Sequence, residues 1–151
     1  MPEHIEDDRV DRQASFRAIG VAAASYFAPT FVLGWVLGPI RELVFVPRCG
    51  RTSATALEAV LMAGATYWEA RRVSYRLGKR STRAKRYVVG AIAFAMILPL
   101  ELLGARFVRR MSFRDYLSSL ATPSGAIGVS MFAWYALAPG VIGGLHSNEH
   151  G

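Results

Sequence analysis

Apolar residues run along this chain in long blocks separated by short charged stretches, and the blocks have the length of membrane crossings. No Lys, Arg, Asp or Glu occurs in the 23 residues from Ala18 to Ile40, or in the 33 residues from Tyr116 to Asn148. Apolar runs beyond about 18 residues read as transmembrane helices. The pattern predicts an all-α integral membrane bundle of four transmembrane helices, with spans at about 18–40, 54–70, 87–105 and 122–145. Pro39 and Arg41-Glu42 close the first span, and Arg71-Arg72 stop the second. The third continues through Pro99. The fourth opens at Thr122-Pro123, a threonine cap followed by proline at the first helical position.

Between the third and fourth spans the periodicity predicts one more element. Ser112-x-x-Asp115 has the form of a capping box, and Phe113, Tyr116, Leu117 and Leu120 follow at i, i+3, i+4, i+7 spacing. This is a short outer interfacial helix, apolar face down. The chain thus divides into an acidic amino-terminal segment (1–17), a transmembrane domain (18–145) and a tail (146–151). The first segment holds five acids against three arginines and precedes a long apolar run, so it does not read as a cleavable signal peptide.

Composition sharpens the picture. In 151 residues there are 18 Lys and Arg against 11 Asp and Glu, a formal charge of +7, and one cysteine. A lone Cys49 excludes a disulfide scaffold. The positive charge fits positive-inside loops better than nucleic acid, since no aromatic interleaving or nucleic-acid-binding motif accompanies it. Three arginines precede the first span (Arg9, Arg12, Arg17), and eight basic residues stand between the second and third: Arg71, Arg72, Arg76, Lys79, Arg80, Arg83, Lys85 and Arg86. The opposite side has Arg41, Arg48 and Arg51 in one loop and Arg106, Arg109, Arg110 and Arg114 in the next. Eleven against seven places both termini in the cytoplasm, with the four arginines after the third span on the wrong side. The eight-residue basic loop is at least a topology signal. It is also the candidate contact for anionic lipid headgroups.

Candidate chemistry lies with the charges at the span ends: Arg41, Glu42, Glu58, Glu101 and Arg106. At about 1.5 Å per residue, Glu58 and Glu101 each lie about 21 Å from the cytoplasmic edge, and Arg41 reaches the outer boundary. Equal depth suggests one shared cluster. Glu58 follows Thr55 in Thr-x-x-Glu, a capping-box spacing, whereas Glu101 faces an opposing helix dipole and needs Arg41 or Arg106 as partner. Such a cluster reads either as an ion-paired cap on the bundle or as a proton, cation or headgroup site. Apart from Glu69, the inner half holds no ionisable residue that would continue a relay. Gly34-x-x-x-Gly38 and Gly140-x-x-x-Gly144 suit close packing within the bundle, with a homodimer contact as the second reading. Catalysis has no support: His4, His146 and His150 lie in terminal segments, and neither a metal motif nor a nucleophile motif occurs. No cofactor is expected.

Residues Gly34, Gly38, Arg41, Leu43, Pro47, Gly50, Ala54, Glu58 and Met62 form the pattern G-x-x-x-G-x-x-R-x-L-x-x-x-P-x-x-G-x-x-x-A-x-x-x-E-x-x-x-M. With this pattern the chain resembles a family of small bacterial four-span membrane proteins of no assigned activity. Ala59-Val60-Leu61 departs from that family, whose members often have a proline between the Glu and the Met. The resemblance implies a bacterial cytoplasmic (inner) membrane, multi-pass, N-in and C-in, with Arg41 and Glu58 belonging together. The expected role is a non-enzymatic accessory or structural membrane protein that binds lipid or a larger membrane complex. The alternative is a small oligomeric transporter or channel using Glu58 and Glu101.

Overall fold

The computed structural model describes residues 3–78 and 81–148, with side chains described for 15–78, 81–107 and 109–144. Among these residues every regular element is helical: α1 (Glu3–Ile40), α2 (Val46–Leu77), α3 (Arg83–Leu103), α4 (Phe113–Leu120) and α5 (Pro123–Asn148). Two five-residue π turns, Arg41–Phe45 and Gly104–Val108, extend α1 and α3. Three stretches are long and apolar enough to cross a membrane: Ser15–Leu77, Arg83–Phe107 and Pro123–Gly144.

The first of these stretches is not straight. At Gly50 the backbone takes φ 79°, ψ 162°, a conformation open to glycine and costly for any residue with a Cβ. The chain reverses there, so that Arg41 reaches Glu58 and Gly34 packs on Met62. The helix after the reversal already includes Thr55, whose hydroxyl donates to the Arg51 carbonyl at 2.9 Å. The capping box expected at Thr55–Glu58 is therefore replaced by an ordinary helix interior. The end of that helix also lies further on than expected: α2 runs through Arg71-Arg72 to Leu77 and stops at Gly78, φ 72°. The expected basic loop from Arg71 to Arg86 shrinks to the short link before α3, whose N-cap is Thr82. Lys79 and Arg80 lie outside the described residues.

The expectations for the starts of α4 and α5 are met. Ser112 accepts from the Asp115 amide at 3.1 Å and its own amide donates back to the Asp115 carboxylate at 3.2 Å, a complete capping box at the start of α4. At the start of α5 the Thr122 hydroxyl accepts from the Gly125 amide at 3.1 Å, with Pro123 in the first position.

α5 packs against α2 and α3, and α1 packs against the same two helices. α1 and α5 thus face each other across the centre, where Tyr26 stacks on Tyr135 with centroids 4.7 Å apart. Ile19, Ala22, Ala23, Val73, Val89, Ala93, Ala138 and Ile142 complete the core. Small residues permit this closeness. A Cβ on Gly90 would fall 2.0 Å from the Ala136 carbonyl oxygen, so α3 and α5 touch backbone to backbone.

Candidate functional site

Two charged ends and a polar belt between them hold the residues with chemistry. At the end where α1 turns into α2, Arg41 sits between two carboxylates. Its guanidinium donates to Glu58 at 2.5 Å and to Glu42 at 2.9 Å, and Arg51 reaches Glu42 at 3.1 Å. The Arg41 and Glu58 side chains are 19% and 15% exposed, so this pair is largely removed from solvent. Arg41 and Glu42 both belong to the π turn Arg41–Phe45.

Glu101 does not join this network. Its carboxylate accepts from Arg109 at 2.5 Å, across the second π turn, and Arg109 also lies over the Tyr116 ring at 5.8 Å. The single five-charge cluster expected from equal depth is thus two separate clusters. The partner of Glu101 is Arg109, where Arg41 or Arg106 was expected. Arg106 remains exposed beside a cavity described below.

The opposite end treats arginine differently. Arg86, 4% exposed, donates to the carbonyls of Gly143 and Gly78, the latter at 3.3 Å, and Arg83 donates to the Gly144 carbonyl at 3.3 Å. These oxygens belong to the carboxyl-terminal portions of α5 and α2, where the helix dipole favours a cation. Arg86 therefore leaves the exposed basic group predicted to meet lipid, and Arg83 is partly engaged. Arg71, Arg72, Arg76 and Lys85 remain on helices, with Arg72 3.5 Å from Glu69. Gly140, Gly143 and Gly144 receive Tyr87, Arg86 and Arg83, so the small-residue face of α5 is filled by α3. Gly38, by contrast, has open space around it.

The polar belt escaped the sequence reading. Pro139 has no amide hydrogen, so the Tyr135 carbonyl one turn earlier lacks its helical donor. The Tyr26 hydroxyl supplies one at 2.8 Å. Thr30, fully buried, shares its hydroxyl with the Tyr26 and Phe27 carbonyls at 2.9 Å and meets the Tyr135 hydroxyl at 3.3 Å. On the facing side of α2, the Thr66 hydroxyl and Glu69 Oε2 are buried with no hydrogen-bond partner. One signal was present in the sequence: Glu58, Thr66 and Glu69 recur at helical spacing, placing polar residues on one face of α2. His4, His146 and His150 lie outside the residues whose side chains are described.

What this arrangement can do chemically is bind, by charge and hydrogen bond, at two levels of a closely packed bundle. No family model, curated protein or solved structure matches this chain, so the resemblance carried by residues 34–62 remains an expectation of kinship.

Proposed function

We propose that this chain is a multi-pass protein of a bacterial cytoplasmic membrane with four spans, both termini cytoplasmic, and a non-enzymatic accessory or structural role in contact with lipid or a larger membrane complex. The four spans are α1, α2 after Gly50, α3 and α5, with α4 lying at the outer interface. From Glu58 to Tyr75, α2 rises by about 25 Å, close to the thickness of a bilayer's hydrocarbon core. Glu42, Glu58 and Glu101 then stand at the outer end, and the α2–α3 link stands at the inner end.

The observation that carries the accessory reading is the closure of the outer carboxylates. Glu58 and Glu42 are held by Arg41, and Glu101 by Arg109, all from the same chain. Charges arranged this way fix how α1 docks on α2. A transporter working through Glu58 and Glu101 needs those carboxylates open to a substrate, so the geometry favours the structural role.

A double-mutant cycle tests this in mild detergent. Glu58→Gln and Arg41→Gln each leave a partner stranded in a partly buried site. Each single change should cost about 1–2 kcal/mol, between the values for exposed and fully buried pairs. The double variant should lose clearly less than the sum of the two. Additive losses near zero, with both variants as stable as wild type, would overturn the structural reading and return attention to ion flux.

A further inference from the structure

Between the end of α3 and the start of α4 lies a half-open cleft of about 420 Å3. Its walls are mainly apolar, with Pro99, Leu102 and Leu103 from α3 on one flank and Met111, Phe113 and Tyr116 on the other. Arg106 is the one charged residue among its lining residues, and it stands at the rim, exposed.

Two facts give the segment around this rim a net positive charge, with Arg106 on the cavity wall and Arg110 and Arg114 close to lining residues in the chain. Of the nearby carboxylates, Glu101 is paired with Arg109, and Asp115, hydrogen-bonded to the Ser112 amide and hydroxyl, offsets one further positive charge and leaves the arginines in excess. Among the described residues, Arg106, Arg110 and Arg114 have no ion pair. Arg110 moreover occupies a position made for glycine. The end of α3 closes with the Met111 amide donating to the Ala105 carbonyl at 3.0 Å, around Arg110 at φ 53°. This is the left-handed residue of a helix-ending motif, where a side chain other than glycine or asparagine is strained. Arginine stands there at a conformational cost that glycine would avoid.

We propose that this cleft binds one anionic phospholipid, its phosphate on Arg106 with Arg110 and Arg114 beside it and an acyl chain in the apolar cavity. An apolar pocket with a cationic rim is complementary to an anionic amphiphile and to little else. A soluble anion would leave the Leu102, Leu103 and Phe113 walls unused, and a neutral lipid would leave the arginines unused. The site also accounts for three of the four arginines that the positive-inside count places on the wrong side of the membrane, the fourth, Arg109, being paired with Glu101. Those three serve binding at this face and do not set topology. Phe107, Phe113 and Leu117 are exposed around the cleft, which suits immersion of this edge in acyl chains. The inference rests on the membrane reading given above, but not on the accessory role.

The test is retention of lipid through delipidation, read by native mass spectrometry of the full chain released from nanodiscs. The discs hold equal phosphatidylglycerol and phosphatidylcholine of one chain length. Wild type should keep one phosphatidylglycerol in preference to phosphatidylcholine. Arg106→Gln should lower that preference about fivefold, the effect of one basic residue at a charged surface. Arg106→Lys should keep most of it, because a phosphate accepts a point charge, and Arg48→Gln, which removes an exposed arginine from the α1–α2 reversal, should change nothing. Equal retention of the two lipids by wild type overturns the proposal, as does an Arg106→Gln variant that binds like wild type. A chain that stays in solution without detergent after a carbonate wash would instead sink the membrane reading, so the two failures are distinct.

Discussion

The two ends of the bundle both bury arginine, and they do so by different means. At the α1–α2 reversal, Arg41 is held by carboxylates, and the surrounding helices are loosened by π turns at Arg41–Phe45 and Gly104–Val108. At the α2–α3 link, Arg86 has no carboxylate partner among the described residues and is held by the carbonyls of Gly143 and Gly78, lying so close to Gly143 that a Cβ there would strike its side chain. A carboxylate supplies a full opposing charge wherever the chain places it, so it tolerates irregular backbone. Carbonyl oxygens carry only partial charge, and they suffice only where helix ends converge and packing is tight. One end is consequently fixed by electrostatics and the other by close contact. A cavity occurs at the first and glycine seats at the second.

The comparison breaks most readily at the packed end. Gly90→Ala sets a methyl 2.0 Å from the Ala136 oxygen, which is backbone and cannot swing away. α3 and α5 must separate, at a cost of about 3 kcal/mol. Unfolding in detergent with a rising fraction of SDS would measure it. Gly38→Ala, which meets no atom within 4 Å, is the control and should stay near wild type. Next in size is Arg86→Met, which keeps the stem and removes the donors, at about 2 kcal/mol in the same assay. If Arg86→Met is instead neutral, the carbonyls at the link are not what holds that end, and the contrast drawn here fails.

The smallest effect belongs to the other end and to pH. The Ser112 hydroxyl and amide hold the exposed Asp115 carboxyl below its ordinary range. A carboxylate whose folded pKa is lowered adds stability above its unfolded pKa. That stability is lost as pH falls through the folded value. α4 should therefore fray on acidification while the other helices persist, visible as faster amide exchange at Asp115 and Tyr116. Asp115→Asn should remove that pH dependence. If exchange in α4 is independent of pH, the box contributes nothing at this end.

How far these features could be read from the sequence follows from whether they are local. The Ser112–Asp115 box and the Thr122-Pro123 start depend on neighbours within a turn, and each lies where the pattern put it. The reversal at Gly50 falls inside the loop expected between the spans ending at 40 and starting at 54, but the sequence did not show that helix fills that loop on both sides, because hydropathy registers a span end only where charge appears. The Arg71-Arg72 pair misled in the opposite sense, since long basic side chains on a helix can carry their heads towards water without ending it. The partner of Glu101 was beyond reach. Depth along an ideal helix cannot show that a π turn and a left-handed Arg110 bring Arg109 back. Arg86 was placed with the exposed basic residues because nothing near it in the chain marks the converging helix ends that bury it.

The bond from Tyr26 to the Tyr135 carbonyl bears on the order in which such a chain can be completed. The acceptor exists because Pro139 leaves it free, and the donor sits more than one hundred residues earlier, on the first helix. Until α5 has been synthesised and docked, a tyrosine hydroxyl in the first helix and a groove on α3 beside Gly90 are both without partners. A chain cut short before Tyr135 would present a polar group to lipid and an open seam to its neighbours, features that mark an unfinished membrane protein for removal. The last helix thus acts as the closing piece of assembly, and full-length synthesis becomes a condition for a finished interior.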